Sequence, residues 1–208
     1  MLEQNQSLLE LQHIKKMMER SSRFISLSGL SGIAAGICAL TGAWFANDII
    51  QRSRGPASDS NTFFRSYQLL VIAAITFIAA FLAAFLFTYL RSKKNNIPLW
   101  GTTAKRLMIN VAIPMVAGGF YLLCEIREGH FGLVAPGCLI FYGLALVNAS
   151  KYTLNEIRYL GYLQILLGII NCWFIGYGLY FWAAGFGILH IVYGIFMWQK
   201  YERNSDEQ

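Results

Sequence analysis

The sequence predicts an all-α fold, a polytopic transmembrane bundle of six helices preceded by an amphipathic N-terminal cytoplasmic helix. Three observations predict it. Six apolar stretches alternate with short polar connections, the basic residues gather on alternate connections, and the tryptophans stand near the ends of the stretches. A hydrocarbon core about 30 Å thick needs about 20 mostly apolar residues of helix, at about 1.5 Å each. Backbone amides in hydrocarbon must find partners within their own segment, so such runs are helices.

Residues 1–23 form the first unit. Ser7 and Glu10 make a capping box, and Leu8, Leu11, Ile14 and Met18 then recur at helical spacing opposite Glu10, Lys15, Lys16, Glu19 and Arg20. The apolar stripe suits lipid, the underside of the bundle or a protein partner, which makes Leu11, Ile14 and Met18 interaction candidates. The transmembrane domain covers 24–198, with spans at 24–46, 67–90, 107–124, 131–148, 159–177 and 182–198. The first apolar run lacks a small-x-small cleavage site and reads as an uncleaved span. A short polar tail, 199–208, is expected to fray.

Within the first span, Ser28, Gly32, Gly36 and Ala39 share a face, and Gly32-x-x-x-Gly36 permits a close helix contact, within the chain or across a homodimer. The second span is rich in alanine. Pro114 in the third removes a hydrogen bond from the Asn110 carbonyl, and Gly118-Gly119 follows, so a kink is expected. Pro136 falls in the first turn of the fourth span, where proline is tolerated. A tight turn around Gly176-Tyr177-Gly178 joins the last two spans, and Ala183, Gly187, His190 and Gly194 share a face of the sixth. The loop at 47–66 is rich in Gly, Pro and Ser, which disfavours a large external ligand-binding domain.

Orientation follows from charge. With both termini on one side, that side holds 13 of the 17 basic residues, leaving only Arg52, Arg54, Arg65 and Arg127 opposite. The positive-inside rule then places both termini in the cytoplasm, in a cell inner (plasma) membrane. Trp44, Trp173 and Trp182 fall towards the outer ends, and Trp100 and Trp198 towards the inner face. The net charge of +6 therefore reflects topology and contact with anionic lipid headgroups of the bilayer, and nucleic acid is not an expected partner. Arg91, Lys93 and Lys94, followed by Trp100, Lys105 and Arg106, form the densest such patch.

Polar residues at membrane depth are costly and draw attention to function. Four are candidate binding residues: Asn110, Gln164, Asn171 and His190. A simple antiparallel hairpin of the last two spans sets His190 beside Leu167 and Gly168, and Gln164 beside Tyr193. A neutral histidine bonded to Tyr or Asn is one reading of it; haem ligation would need a second histidine, and His13 and His130 stand at other depths. No cofactor is expected. Glu125, Glu128 and His130 share an external loop whose spacing suits self-neutralisation better than a metal. Cys124 and Cys138 are set at similar depth, and Cys38, Cys138 and Cys172 read as buried apolar thiols without metal spacing.

No G-x-S-x-G elbow, H-E-x-x-H helix, Walker loop or paired carboxylate occurs, so no catalytic residue is assigned and an enzyme is disfavoured. No carboxylate lies at mid-depth in a span, which counts against ion-coupled transport. The segment Tyr142-Gly-Leu-Ala-Leu-Val-Asn-Ala-Ser-Lys-Tyr-Thr-Leu-Asn-Glu-Ile-Arg-Tyr-Leu-Gly161 resembles one in a family of uncharacterised small multi-pass bacterial membrane proteins. That resemblance implies a multi-pass membrane fold and assigns no site. Asn148, Tyr152, Asn155, Glu156 and Arg158 crowd its cytoplasmic corner, with Glu156 and Arg158 expected to pair locally. The expected function is a non-enzymatic regulatory or accessory membrane module. A small dimeric transporter and an enzyme acting on a lipid-like substrate are the alternatives.

Overall fold

The structure, a computed structural model, describes residues 28–52, 59–94 and 100–203, with no side-chain description for 59–66. The expected N-terminal helix, with Leu11, Ile14 and Met18, lies outside the described residues. Among the described residues every regular element is helical. Helix α1 spans Gly29–Arg52, α2 Asp59–Lys94, α3 Thr102–Arg127, α4 Val134–Ala149 and α5 Ile157–Trp173. The last rod comprises α6 (Gly178–Trp182), a π-helical segment (Ala183–Leu189) and α7 (His190–Tyr201). Single 3-10 turns, Phe131–Leu133 and Ile175–Tyr177, lead into α4 and α6.

Five helical stretches are long and apolar enough to cross a membrane: Gly29–Arg52, Tyr67–Lys94, Thr102–Arg127, Phe131–Ala149 and Ile175–Tyr201. The fifth rod in chain order, Ile157–Trp173, has 17 residues and so measures about 25 Å. Helix α3 continues through Pro114, which is buried within it. Large apolar side chains such as Phe77, Phe81, Ile113, Phe120 and Trp173 are exposed around the bundle, as a hydrocarbon solvent allows.

Small residues set the contacts, because close backbone approach maximises dispersion between helices. Gly29, Gly32 and Gly36 of α1 meet Gly194, His190 and Gly187 of the last rod, so the Gly32/Gly36 face is used within the chain. A Cβ on Gly194 would fall 2.7 Å from both the Gly29 carbonyl and the Ile33 amide nitrogen. Helices α4 and α5 cross at Gly143 and Gly161 in the same manner. Gly42 of α1 receives Thr76 of α2, and Gly118 of α3 receives Phe141 of α4. Helix α2 thus packs mainly on α1, α3 mainly on α4, and the last rod sits between α1 and α4.

Glu202 gathers three helix ends. Its carboxylate accepts from the Ser28 hydroxyl (3.1 Å), the Gly29 amide (2.6 Å) and Arg91 Nη1 (3.1 Å). Ser28 also accepts from the Leu30 amide at 3.2 Å, which caps the start of α1. Of the tail expected to fray, the described part is ordered: the helix runs to Tyr201, and Glu202 is held by charge-assisted hydrogen bonds, while 204–208 lie outside the described residues.

Candidate ligand site within the bundle

The π-helical segment Ala183–Leu189 aims the polar groups of the bundle. Gly185 has no side chain, and a Cβ there would come within 2.6 Å of Gln164 Oε1, so the Gln164 carboxamide lies directly over it. The wide π turn carries His190, five residues later, back over the Gly185 carbonyl, with His190 Nδ1 at 3.0 Å. Gln164 Nε2 donates to the same oxygen at 2.9 Å, which occupies both of its lone pairs.

A carbonyl can only accept, so Nδ1 carries the imidazole proton and Nε2 is the acceptor. The Tyr142 hydroxyl then donates to Nε2, at 2.8 Å. The 3.5 Å separation of Gln164 Nε2 and His190 Nδ1 brings two donors together and is not a hydrogen bond in this arrangement. The imidazole is satisfied at both nitrogens as the neutral ring. It also stacks on Phe186 at 6.0 Å between centroids, and Phe186 lies 5.1 Å from the Tyr142 ring and 5.2 Å from Trp182.

Beside this cluster lies a cavity of about 400 Å³. Ala35 and Ala39 of α1, Ala73, Thr76, Phe77, Ala80, Phe81 and Ala84 of α2, and Met115, Gly118, Gly119 and Leu122 of α3 form its walls. Cys138, Phe141 and Tyr142 of α4, with Trp182, Phe186 and His190 of the last rod, complete it. Helices α2 and α3 flank it without packing closely on one another. Phe77 and Phe81 line it while remaining 60% and 61% exposed, so the cavity communicates with the outer surface of the bundle. An apolar hollow with a few convergent polar groups is the usual form of a small-molecule site.

Of the residues singled out in the sequence, Gln164 and His190 meet, and His190 reaches the cavity. Asn171 is fully buried at the far end of α5, where Nδ2 donates to the Phe174 carbonyl at 3.0 Å and closes the helix; its Oδ1 has no partner. Asn110 lies away from the cavity and donates to the Arg106 carbonyl one turn back at 2.8 Å. Arg91 is engaged with Glu202, while Lys93 and Lys94 are exposed at the end of α2.

The register of the last hairpin differs from the expectation. Gln164 meets Gly185 and His190, Gly168 faces Pro136 and Ile140, and Tyr193 packs on Leu154, Ile157 and Met197. A 3-10 turn and a π segment, which a uniform hairpin does not contain, join and interrupt the two rods. Sequence reasoning also missed Tyr142, Gly185 and Glu202. A tyrosine at the middle of an apolar span, far from either interfacial belt, was the available signal for Tyr142.

Glu156 does not pair with Arg158: it accepts from Lys200 (2.5 Å) and the Tyr201 hydroxyl (2.7 Å), whereas Arg158 Nε lies 3.4 Å from the Ser150 hydroxyl. Burial pushes the Glu156 carboxyl up, but hydrogen bonds from Lys200 and Tyr201 outweigh it and hold the group below its ordinary value. On the other side, His130 Nδ1 lies 2.9 Å from Glu125 in an exposed pair. Among the described residues no three His, Cys, Asp or Glu side chains gather as a metal site, and the four cysteines are free.

No family model, curated protein or solved structure matches this chain.

Proposed function

We propose that the chain is a six-span protein of a bacterial inner membrane, with both termini cytoplasmic. It acts as a non-enzymatic regulatory or accessory module that holds a small apolar molecule. The carrying observation is the cavity of about 400 Å³ between α2 and α3, with Tyr142 and His190 as its polar corner. Five stretches of sufficient length support the multi-pass reading, and we assign Ile157–Trp173, about 25 Å of helix, as the remaining span. The distribution of basic residues supports the orientation. The resemblance of Tyr142 to Gly161 to small bacterial membrane proteins supports the compartment.

Held ligand and accessory role are connected by α2. It forms one cavity wall, and its end is tied through Arg91 and Glu202 to α1 and α7, so occupancy bears on the arrangement of the cytoplasmic ends. A partner protein or second copy would read that arrangement through the N-terminal stripe of Leu11, Ile14 and Met18 or the adjoining basic loop. A small transporter is the second reading, favoured by the same opening between α2 and α3.

The test is mass spectrometry of small molecules retained by the protein purified in mild detergent. Native chain is expected to carry a defined species that Ala80→Trp, which fills the cavity, does not. An identical complement in the two proteins would remove the basis for the reading.

A further inference from the structure

We propose that the cavity selects an apolar alcohol, a long-chain or polycyclic body with one hydroxyl that donates to the phenol oxygen of Tyr142. This deepens the ligand-holding reading and rests on it.

Gly185 sets the polarity of this corner. Its carbonyl fixes the proton on His190 Nδ1, which leaves Nε2 to accept from Tyr142. The only proton of the phenol is therefore committed, and its oxygen keeps lone-pair capacity. Hydrogen bonds running in one direction, from phenol to imidazole to carbonyl, polarise one another, but they do not create a second donor on the phenol. The polar corner of the cavity thus presents an acceptor. An acceptor without a partner in a low-dielectric site is unfavourable, so a ligand with a donor gains over one without.

The surroundings narrow the class. Alanines and phenylalanines make half of the wall, which suits a hydrocarbon body. Tyr142 lies near the middle of Phe131–Ala149 and His190 near the middle of Ile175–Tyr201, so the polar corner is at mid-membrane. A charged phosphate headgroup would have to leave the interface to reach it, at a far higher cost than a single hydroxyl. A ketone, quinone or ether would set lone pair against lone pair at Tyr142.

The experiment uses the full chain in lipid nanodiscs of phosphatidylethanolamine and phosphatidylglycerol, with photoactivatable probes. Hexadecanol carrying a mid-chain diazirine is compared with its methyl ether and its aldehyde, and crosslinks are mapped to peptides covering 77–84 and 115–122. The alcohol is expected to label these peptides about threefold to tenfold more than either acceptor-only probe, the range one neutral hydrogen bond supplies. In Tyr142→Phe that preference should vanish while labelling by the ether persists.

Equal labelling by all three probes, a preference for the aldehyde, or an alcohol preference that survives Tyr142→Phe would overturn the donor requirement and leave the cavity reading standing. Labelling of these peptides no stronger than that of the outward face of α3 by every probe would overturn the cavity reading itself. Should Tyr142→Phe fail to insert, the probe ratio in the native chain decides alone.

Discussion

The Gly29 amide donates to the Glu202 carboxylate at 2.6 Å, so the end of α7 closes directly on the first turn of α1. An N-terminal helix amide is an orphan donor at the positive end of the helix dipole, and a carboxylate satisfies both needs together. Arg91 brings in the end of α2, with its side chain and that of Glu202 only 12% and 16% exposed.

Glu202→Gln preserves shape and removes the charge. It is expected to destabilise the protein by about 1.5–3 kcal/mol, the range for hydrogen bonds to a charged group. Thermal unfolding in detergent measures it. Arg91→Met added to Glu202→Gln should cost less than the sum of the two single changes, because the pair is coupled; strict additivity would show that the ion pair contributes nothing.

The Glu156 carboxyl provides a pH dependence. Its folded value lies below the unfolded one, so its contribution is complete above the ordinary carboxylate value of 4.5 and disappears as pH falls through the depressed folded value. Stability measured from pH 7 downward should stay flat from this source until about pH 4.5 and then decline. Glu156→Gln should flatten that decline, and an unchanged acid limb in the variant would assign it to other groups.

Two glycines should respond in opposite directions. A Cβ at position 194 meets backbone atoms of Gly29 and Ile33 that cannot move independently, so Gly194→Ala is expected to lose about 1–3 kcal/mol by overpacking. A Cβ at position 119 meets nothing within 4 Å, so Gly119→Ala should gain up to about 1 kcal/mol from helix propensity. Melting of the two variants side by side checks the contrast.

Topology is open to reporter fusions. Fusions after Lys94 and Lys151 are expected to report cytoplasm, and one near Ser58 the outside. External labelling of a cysteine placed at Lys94 would invert the map, and like-sided reports from Ser58 and Lys94 would remove a span.

The apolar rods were legible because hydropathy is a local property and hydrocarbon admits few backbone solutions. Their contacts were partly legible: Gly32 and Gly36 announced a close approach, but only the fold shows that Gly187 and Gly194 answer them. The polar cluster was half legible. Gln164 and His190 stood out as polar residues in apolar spans, whereas the partner of His190 comes from Tyr142, 48 residues away on another helix. Glu202 was illegible for another reason. A charged residue near a chain end ordinarily belongs to solvent, and nothing in its neighbours reveals that Gly29 and Arg91 converge there.

The π segment has a consequence for how the last rod divides its labour. A uniform helix advances about 100° per residue, so the bearing of each side chain is dictated by all those before it. Ala183–Leu189 inserts a rotational offset between α6 and α7, which brings the Gly185 carbonyl under His190 Nδ1 while Gly187 and Gly194 seat against α1. Deleting Ala184 should let the offset close into regular α-helix. The bonds along that helix would improve, while the imidazole would lose the Gly185 carbonyl that fixes its proton. Melting temperature and the hydroxyl preference of the cavity should therefore separate, with the preference lost even if the fold is retained; a deletion variant that keeps the preference would show that the offset plays no part in aiming His190.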